Sequence, residues 1–152
     1  MKLNGIRPIN ILLVEDSDDD LVIIQRAFKK VKLTNDLHIV RDGQEALDFI
    51  FHEGKYAETK PATPGLILLD INMPKVDGFG VLMKLKAHPP YNIIPVVMLT
   101  VSDREEDIAK SFKNGAVSYI TKPMDFEKFV KVIEAFEIYW TLVSKVPAIT
   151  PK

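Results

Sequence analysis

Five short apolar runs, each followed by a polar or charged residue and separated by helical periodicity, restrict this chain to few folds. They are residues 9–14 (INILLV), 37–40 (LHIV), 66–69 (LILL), 94–99 (IPVVML) and 117–120 (VSYI). Most are nearly continuous rather than alternating, as expected of parallel strands covered on both faces. Between them, Leu21, Ile24, Phe28 and Val31 recur at helical spacing behind an acidic start, and Ser17 with Asp20 resembles a capping box. Asp42, with Glu45 three residues on, predicts a second helix that buries Ala46, Leu47 and Ile50. Asp77 is expected to open a third, carrying Phe79, Leu82 and Leu85. Ser102 and Glu105 form an S-x-x-E box ahead of Ile108, Ala109 and Phe112, and Asn114-Gly115-Ala116 stops that helix. A last helix is predicted from near Asp125 to about Ser144. Residues 52–65 are long, polar and hold two prolines, so they read as a surface loop.

Strand-helix alternation repeated five times implies a parallel sheet with helices on both sides. Right-handed crossovers then leave few topologies. A flavodoxin-like (βα)5 doubly wound α/β sheet of order 2-1-3-4-5 is the natural arrangement. The 152 residues suit one domain. Residues 1–146 are expected to form it, with 147–152 as a tail and no effector domain. Basic and acidic side chains nearly balance, 20 against 21, so no electrostatic footprint for nucleic acid is present. No window is apolar for long enough to span a membrane, and the N-terminus lacks the core of a signal peptide. A chain without cysteine excludes disulfides and thiol catalysis and fits a cytoplasmic location.

The chemistry is expected where the strands end. Run one is followed by Glu15 and Asp16, run three by Asp70, run four by Thr100, run five by Thr121 and Lys122. In open α/β sheets the ligand crevice lies outside the carboxyl ends of the strands, so these side chains should converge. Taken singly, each has a bland reading: Asp70 and Thr100 as solvated strand ends, Lys122 as a surface lysine, Tyr119 as a half-buried aromatic. Asp18–Asp20 read as helix-capping acids, and His38, His52 and His88 as structural or solvated rather than metal ligands. Together, however, the acids repel. At ~4 Å and an effective dielectric of ~20, a like-charged pair costs roughly 4 kcal/mol. A raised pKa, a lysine or a divalent cation must offset this, and hard oxygen donors select Mg²⁺ or Mn²⁺. An Asp in such a site can be a nucleophile that accepts a phosphoryl group.

At these residues the sequence resembles the receiver domain of two-component response regulators, over nearly all of its length. LLVEDSDDD resembles the family's acidic pair, and LLDINMPKVDG its phosphorylation motif. PVVMLT supplies its Thr, and YITKP its aromatic, Lys and Pro, all in the right order. The resemblance implies that Asp70 accepts phosphoryl from a histidine kinase. It implies that Asp16 and Asp70 ligate Mg²⁺ directly, with Glu15 acting indirectly and the backbone carbonyl of Asn72 as a third protein ligand. Lys122 would pair with the phosphoryl oxygens, Thr100 would hydrogen-bond them, and Tyr119 would change rotamer as the switch. A cis Lys122–Pro123 peptide is also implied. Val101 departs from the small residue usual after the Thr, and could narrow access to the acceptor. The long loop at 52–65 and the long last helix resemble stand-alone regulators paired with phytochrome-type sensor kinases.

The last helix carries two apolar stripes. Phe126, Phe129, Ile133, Phe136, Trp140 and Val143 should face the sheet, while Val132, Ala135, Tyr139 and Leu142 form a second surface. A homodimer through this helix and the neighbouring strand is expected. Two other functions compete. A phosphatase of the haloacid-dehalogenase type would need a second Asp where Asn72 stands, and a degenerate receiver would lack the acceptor, metal and lysine set present here. No Gly-rich phosphate loop follows the first strand, which argues against a nucleotide site.

Overall fold

The computed structural model describes residues 10–31, 36–101, 103–122 and 125–142, with side chains described up to residue 135. Five parallel strands, β1 (Ile11–Val14), β2 (Leu37–Val40), β3 (Leu66–Asp70), β4 (Val96–Thr100) and β5 (Ser118–Thr121), form one sheet of order β2-β1-β3-β4-β5. The helices between and after them are α1 (Asp18–Val31), α2 (Gly43–Phe51), α3 (Gly78–Lys86), α4 (Glu105–Lys113) and α5 (Phe126–Leu142). This is the doubly wound topology expected from the alternation of runs. β4 begins later than its apolar run because Pro95 has no N–H to give to a ladder. β3, β4 and β5 each continue one residue further than predicted, so that Asp70, Thr100 and Thr121 lie within the sheet.

Alternation along the strands divides the core in two. Leu12, Val14, Ile67, Leu69, Val96 and Met98 meet α2 and α3 through Ala46, Leu47, Phe49, Ile50, Phe79, Leu82 and Leu85. Ile11, Leu13, Leu66, Leu68, Val97 and Leu99 meet Leu21, Ile24, Ala27 and Phe28 of α1 and Phe129, Val130 and Ile133 of α5.

Most predicted caps hold. Asp42 accepts from Glu45 N at 2.7 Å while Glu45 returns to Arg41 N at 3.0 Å, and Asp77 accepts from Gly80 N at 2.8 Å. Asp125 accepts from Lys128 N at 3.0 Å ahead of α5. α4 differs: Arg104 occupies its N-cap position without a side-chain capping hydrogen bond, and Ser102 lies outside the described residues. Its predicted inward stripe is not buried either. Phe112 is 48% exposed, Ala109 is exposed and Ile108 half-buried, leaving Ser111 as the buried residue of α4. α4 packs chiefly on β5, the last strand of the sheet, and most of this stripe is left uncovered there.

On α5, Phe129 and Ile133 are buried as predicted, but Val130, assigned to neither stripe, joins them. Val132 is half-buried and Ala135 exposed. The predictions for the side chains of Phe136, Tyr139, Trp140 and Leu142, and for Val143, lie outside what is described. Residues 52–65 form a tethered loop rather than a loose one. His52 ends α2 in the left-handed region (φ 58°), its ring nitrogen lies 2.8 Å from Pro61 O, and Tyr56 donates to Glu45 Oε2 at 2.9 Å while packing edge-on against Phe49. No helix among the described residues is long and apolar enough to cross a membrane.

Candidate functional site

Strand register brings the polar residues together. Val14 pairs with Leu69, so Glu15 and Asp70 follow at the same level; Asp70 pairs with Leu99 and Thr100 with Thr121. Glu15, Asp70, Thr100 and Lys122 are all buried, although apolar side chains dominate the core around them. Burial of so many polar groups is costly unless each is paired. The loop after Asp70 is held in place by Gly78, whose N–H donates to Ile71 O at 2.8 Å. A Cβ on Gly78 would stand 2.3 Å from Asp70 O, so the backbone behind Asp70 leaves no space for a side chain.

Lys122 is the electrostatic centre. Its ammonium bonds Glu15 Oε1, lies 2.8 Å from Asp20 Oδ2 and 3.6 Å from Asp70 Oδ2. Glu15 Oε2 accepts from Ser17 N at 3.2 Å, so both of its oxygens are engaged. Burial alone would lower the Lys122 pKa, but the hydrogen bonds to Asp20 and Glu15 and the charges of Asp70 and Glu15 outweigh it and hold the ammonium above its ordinary range. Asp70 moves the other way from a normal acid. Burial first, then the charge of Glu15 and a hydrogen bond with it, push Asp70 up to about 7 against the pull of Lys122 and of Asn72 N. All three remedies anticipated for crowded acids therefore have a counterpart here: a raised pKa, a lysine, and room for a cation.

One carboxylate oxygen from each of Glu15, Asp16 and Asp70 lies within 4.8 Å of the other two. Such a set of hard donors, with one acid half-protonated near neutrality, fits a divalent cation. Arg41 Nη2 donates to Asp16 O at 3.0 Å and to Asp18 Oδ1 at 2.6 Å, fixing the turn that carries Asp16. Asn72 N donates to Asp70 Oδ1 at 3.3 Å and its Nδ2 to Thr100 Oγ1 at 3.4 Å, linking the carboxylate and the hydroxyl. Tyr119, half-buried on β5, packs against the α2–α3 side of the core. Val101 turns outward with 66% exposure. Thr121 is exposed beside the site. The expected cis peptide before Pro123 lies outside the described residues. Sequence reasoning missed Asp20, because an acid in the first turn of a helix is so often only a cap; its i+3 spacing from Ser17 favoured that assignment.

The response regulator receiver domain family matches residues 11–134. This chain belongs to that family. It is 39% identical over 141 residues to response regulator Rcp1 of Synechocystis sp., covering 93% of this chain and 95% of Rcp1. It is 38% identical over 134 residues to a probable methanogenesis regulatory protein, FilR2, of Methanothrix harundinacea, covering 88% of this chain and 84% of FilR2. The Mn²⁺-bound form of Rcp1 superposes with a TM-score of 0.80 at 39% identity over 93% of this chain and 100% of Rcp1. The phosphorylated cyanobacterial phytochrome response regulator RcpA does so with a TM-score of 0.81 at 36% identity, over 93% of this chain and 100% of RcpA. The flavodoxin-like fold, expected from strand-helix alternation, and the two-component receiver family, expected from the order of the motifs, are thus established. The acidic cluster and the Mn²⁺-bound relative together support a divalent metal at the receiver's acidic pocket.

Proposed function

We propose that this receiver domain accepts a phosphoryl group on Asp70 from the phosphohistidine of a sensor histidine kinase, with Mg²⁺ as the bound cation, and thereby changes its protein contacts. The N–P bond of the phosphohistidine breaks, an O–P bond to an Asp70 oxygen forms, and the imidazole leaves. The observation that carries this reading is Asp70 itself: a buried carboxylate set between acids and an ammonium, with its pKa raised to about 7. Asp16 and Asp70 would ligate the cation directly, with the Asn72 carbonyl as a further ligand. Glu15, whose oxygens already serve Lys122 and Ser17 N, fits an indirect part. Bound there, the cation supplies charge neutralisation for the incoming phosphoryl oxygens. Lys122 supplies the other positive charge, and Thr100 a hydroxyl on the neighbouring strand end.

Phosphorylation adds charge and acceptor oxygens at Asp70. Thr100 then closes on the new group, Tyr119 fills the space behind it, and the surface formed by α4, β5 and α5 exchanges partners as a population shift. The exposed Phe112 and Val117 on that surface are consistent with a homodimer through α5 and its neighbours. The likeness to RcpA supports a phytochrome-type kinase as donor, and a chain without cysteine fits a cytoplasmic location. Incubation with acetyl phosphate and Mg²⁺, followed by mass mapping, tests the reading: label on Asp70, abolished by Asp70→Asn, is expected. Label elsewhere or none overturns it. Lys122→Ala should label yet fail to change shape; normal switching in that variant refutes the assigned coupling. Multiple turnover of a phosphomonoester would favour the phosphatase alternative.

A further inference from the structure

Lys122 has a partner outside the acids that cluster around Asp70. Its Nζ is 2.8 Å from Asp20 Oδ2 but 3.6 Å from Asp70 Oδ2. An ammonium has three N–H donors. Glu15 and Asp20 engage it at hydrogen-bond distance, whereas Asp70 receives a longer ion-pair contact. Asp20 is not among the acids that cluster for a metal, which are Glu15, Asp16 and Asp70. It stands in the first turn of α1, where its N–H donates to Ser17 Oγ at 3.3 Å. The second arm of that capping box would run from Ser17 N to the Asp20 carboxylate. Ser17 N donates to Glu15 Oε2 instead, and the Asp20 carboxylate crosses to Lys122.

The geometry points to Asp20 as a positioning residue that holds the Lys122 ammonium away from Asp70 in the resting domain and releases it to an arriving phosphoryl group. This rests on Asp70 being the acceptor. The two acids that hold Lys122 are not equivalent. The Glu15 side chain is fully buried and cannot lose its cation without leaving an uncompensated charge inside the protein. The Asp20 side chain is 21% exposed and can exchange the ammonium for water. Asp20 is therefore the partner that yields. An ammonium held 2.8 Å from Asp20 and 3.6 Å from Asp70 is drawn off the place where phosphoryl oxygens would need its charge, so Asp20 opposes occupation of the acceptor.

Titration of the full chain with beryllofluoride in saturating Mg²⁺, a mimic of the phosphoryl group, tests this. Removing the competing charge-assisted bond in Asp20→Ala should tighten beryllofluoride binding by about tenfold. Asp19→Ala removes the same charge from the same exposed turn without touching Lys122, and should change affinity by less than about twofold. Asp20→Glu restores the anion and should bind as the unaltered chain does. If Asp20→Ala does not fold, Asp20→Asn is read in its place, since it removes the charge and keeps the shape. Equal or weaker binding in the Asp20 variant, a matching gain in Asp19→Ala, or an Asp20→Glu chain as tight as Asp20→Ala overturns the inference while leaving the acceptor reading intact. Failure of the unaltered chain to bind beryllofluoride overturns the acceptor reading and this inference with it.

Discussion

Divalent-cation binding should be strongly pH-dependent just below neutrality. Asp70 titrates at about 7 because it is buried beside Glu15. A cation that uses its oxygens must displace the proton, so the apparent Kd is multiplied by 1 + 10^(pKa − pH). That factor is about 1.1 at pH 8, about 2 at pH 7 and about 11 at pH 6 for a group titrating at ~7. An Asp at its ordinary value of ~3.9 would give almost no change over that interval. Lys122 stays charged throughout, since its partners hold it above its usual range. Calorimetric titration with Mg²⁺ or Mn²⁺ at constant ionic strength therefore should show a loss of about tenfold in affinity between pH 8 and pH 6. Buffers of different ionisation enthalpy should report about half a proton released per cation near pH 7. Glu15→Gln removes one of the charges that raise Asp70 and should move the break in the profile to lower pH. A Kd that is the same at pH 8 and pH 6 would refute the argument that burial and Glu15 control the acceptor.

The same shift has a consequence for stability without metal. An acid whose folded pKa is raised contributes stability below its unfolded value of ~4, and loses it as pH rises through the folded value. Asp70→Asn should therefore be more stable than the unaltered chain at pH 8 in EDTA, with the gap closing toward pH 4, as read by urea denaturation; a constant gap counts against the assignment. Gly78→Ala places a Cβ 2.3 Å from the Asp70 carbonyl oxygen, where rigid backbone must shift, and should cost on the order of 1–3 kcal/mol or more by thermal denaturation while slowing acetyl phosphate labelling. Asp42→Ala deletes the N-cap of α2, whose bond to Glu45 N is 2.7 Å, and should cost about 1 kcal/mol while leaving Mg²⁺ affinity unchanged.

What the linear sequence determined is the arrangement of elements and which polar side chains stand at the strand ends. Continuous apolar runs pointed to strands buried on both faces, as β1, β3 and β4 are, while the edge strands β2 and β5 are mostly half-buried. Leu21, Ile24 and Phe28 on α1, and Ala46, Leu47 and Ile50 on α2, lie inward where their spacing placed them. Asp42, Asp77 and Asp125 cap their helices because capping is settled within one turn of chain. Glu15, Asp70, Thr100 and Lys122 were legible as strand-end residues for a similar reason: parallel pairing in register carries every strand end to one edge. Only the tertiary structure decided which charges meet. The stripe of Ile108 and Phe112 had the right period, yet whether it is covered depends on how much sheet remains beneath α4, and at β5 the sheet ends. Val130 is buried because α5 packs beside α1, a relation no local pattern encodes. Asp20 looked like one helix-capping acid among three, and its reach to Lys122 joins segments far apart in the chain. Periodicity and capping are short-range and so are written locally. Pairing between charges depends on distances through space, which exist only once the sheet has brought β1 and β5 to the same end of the molecule.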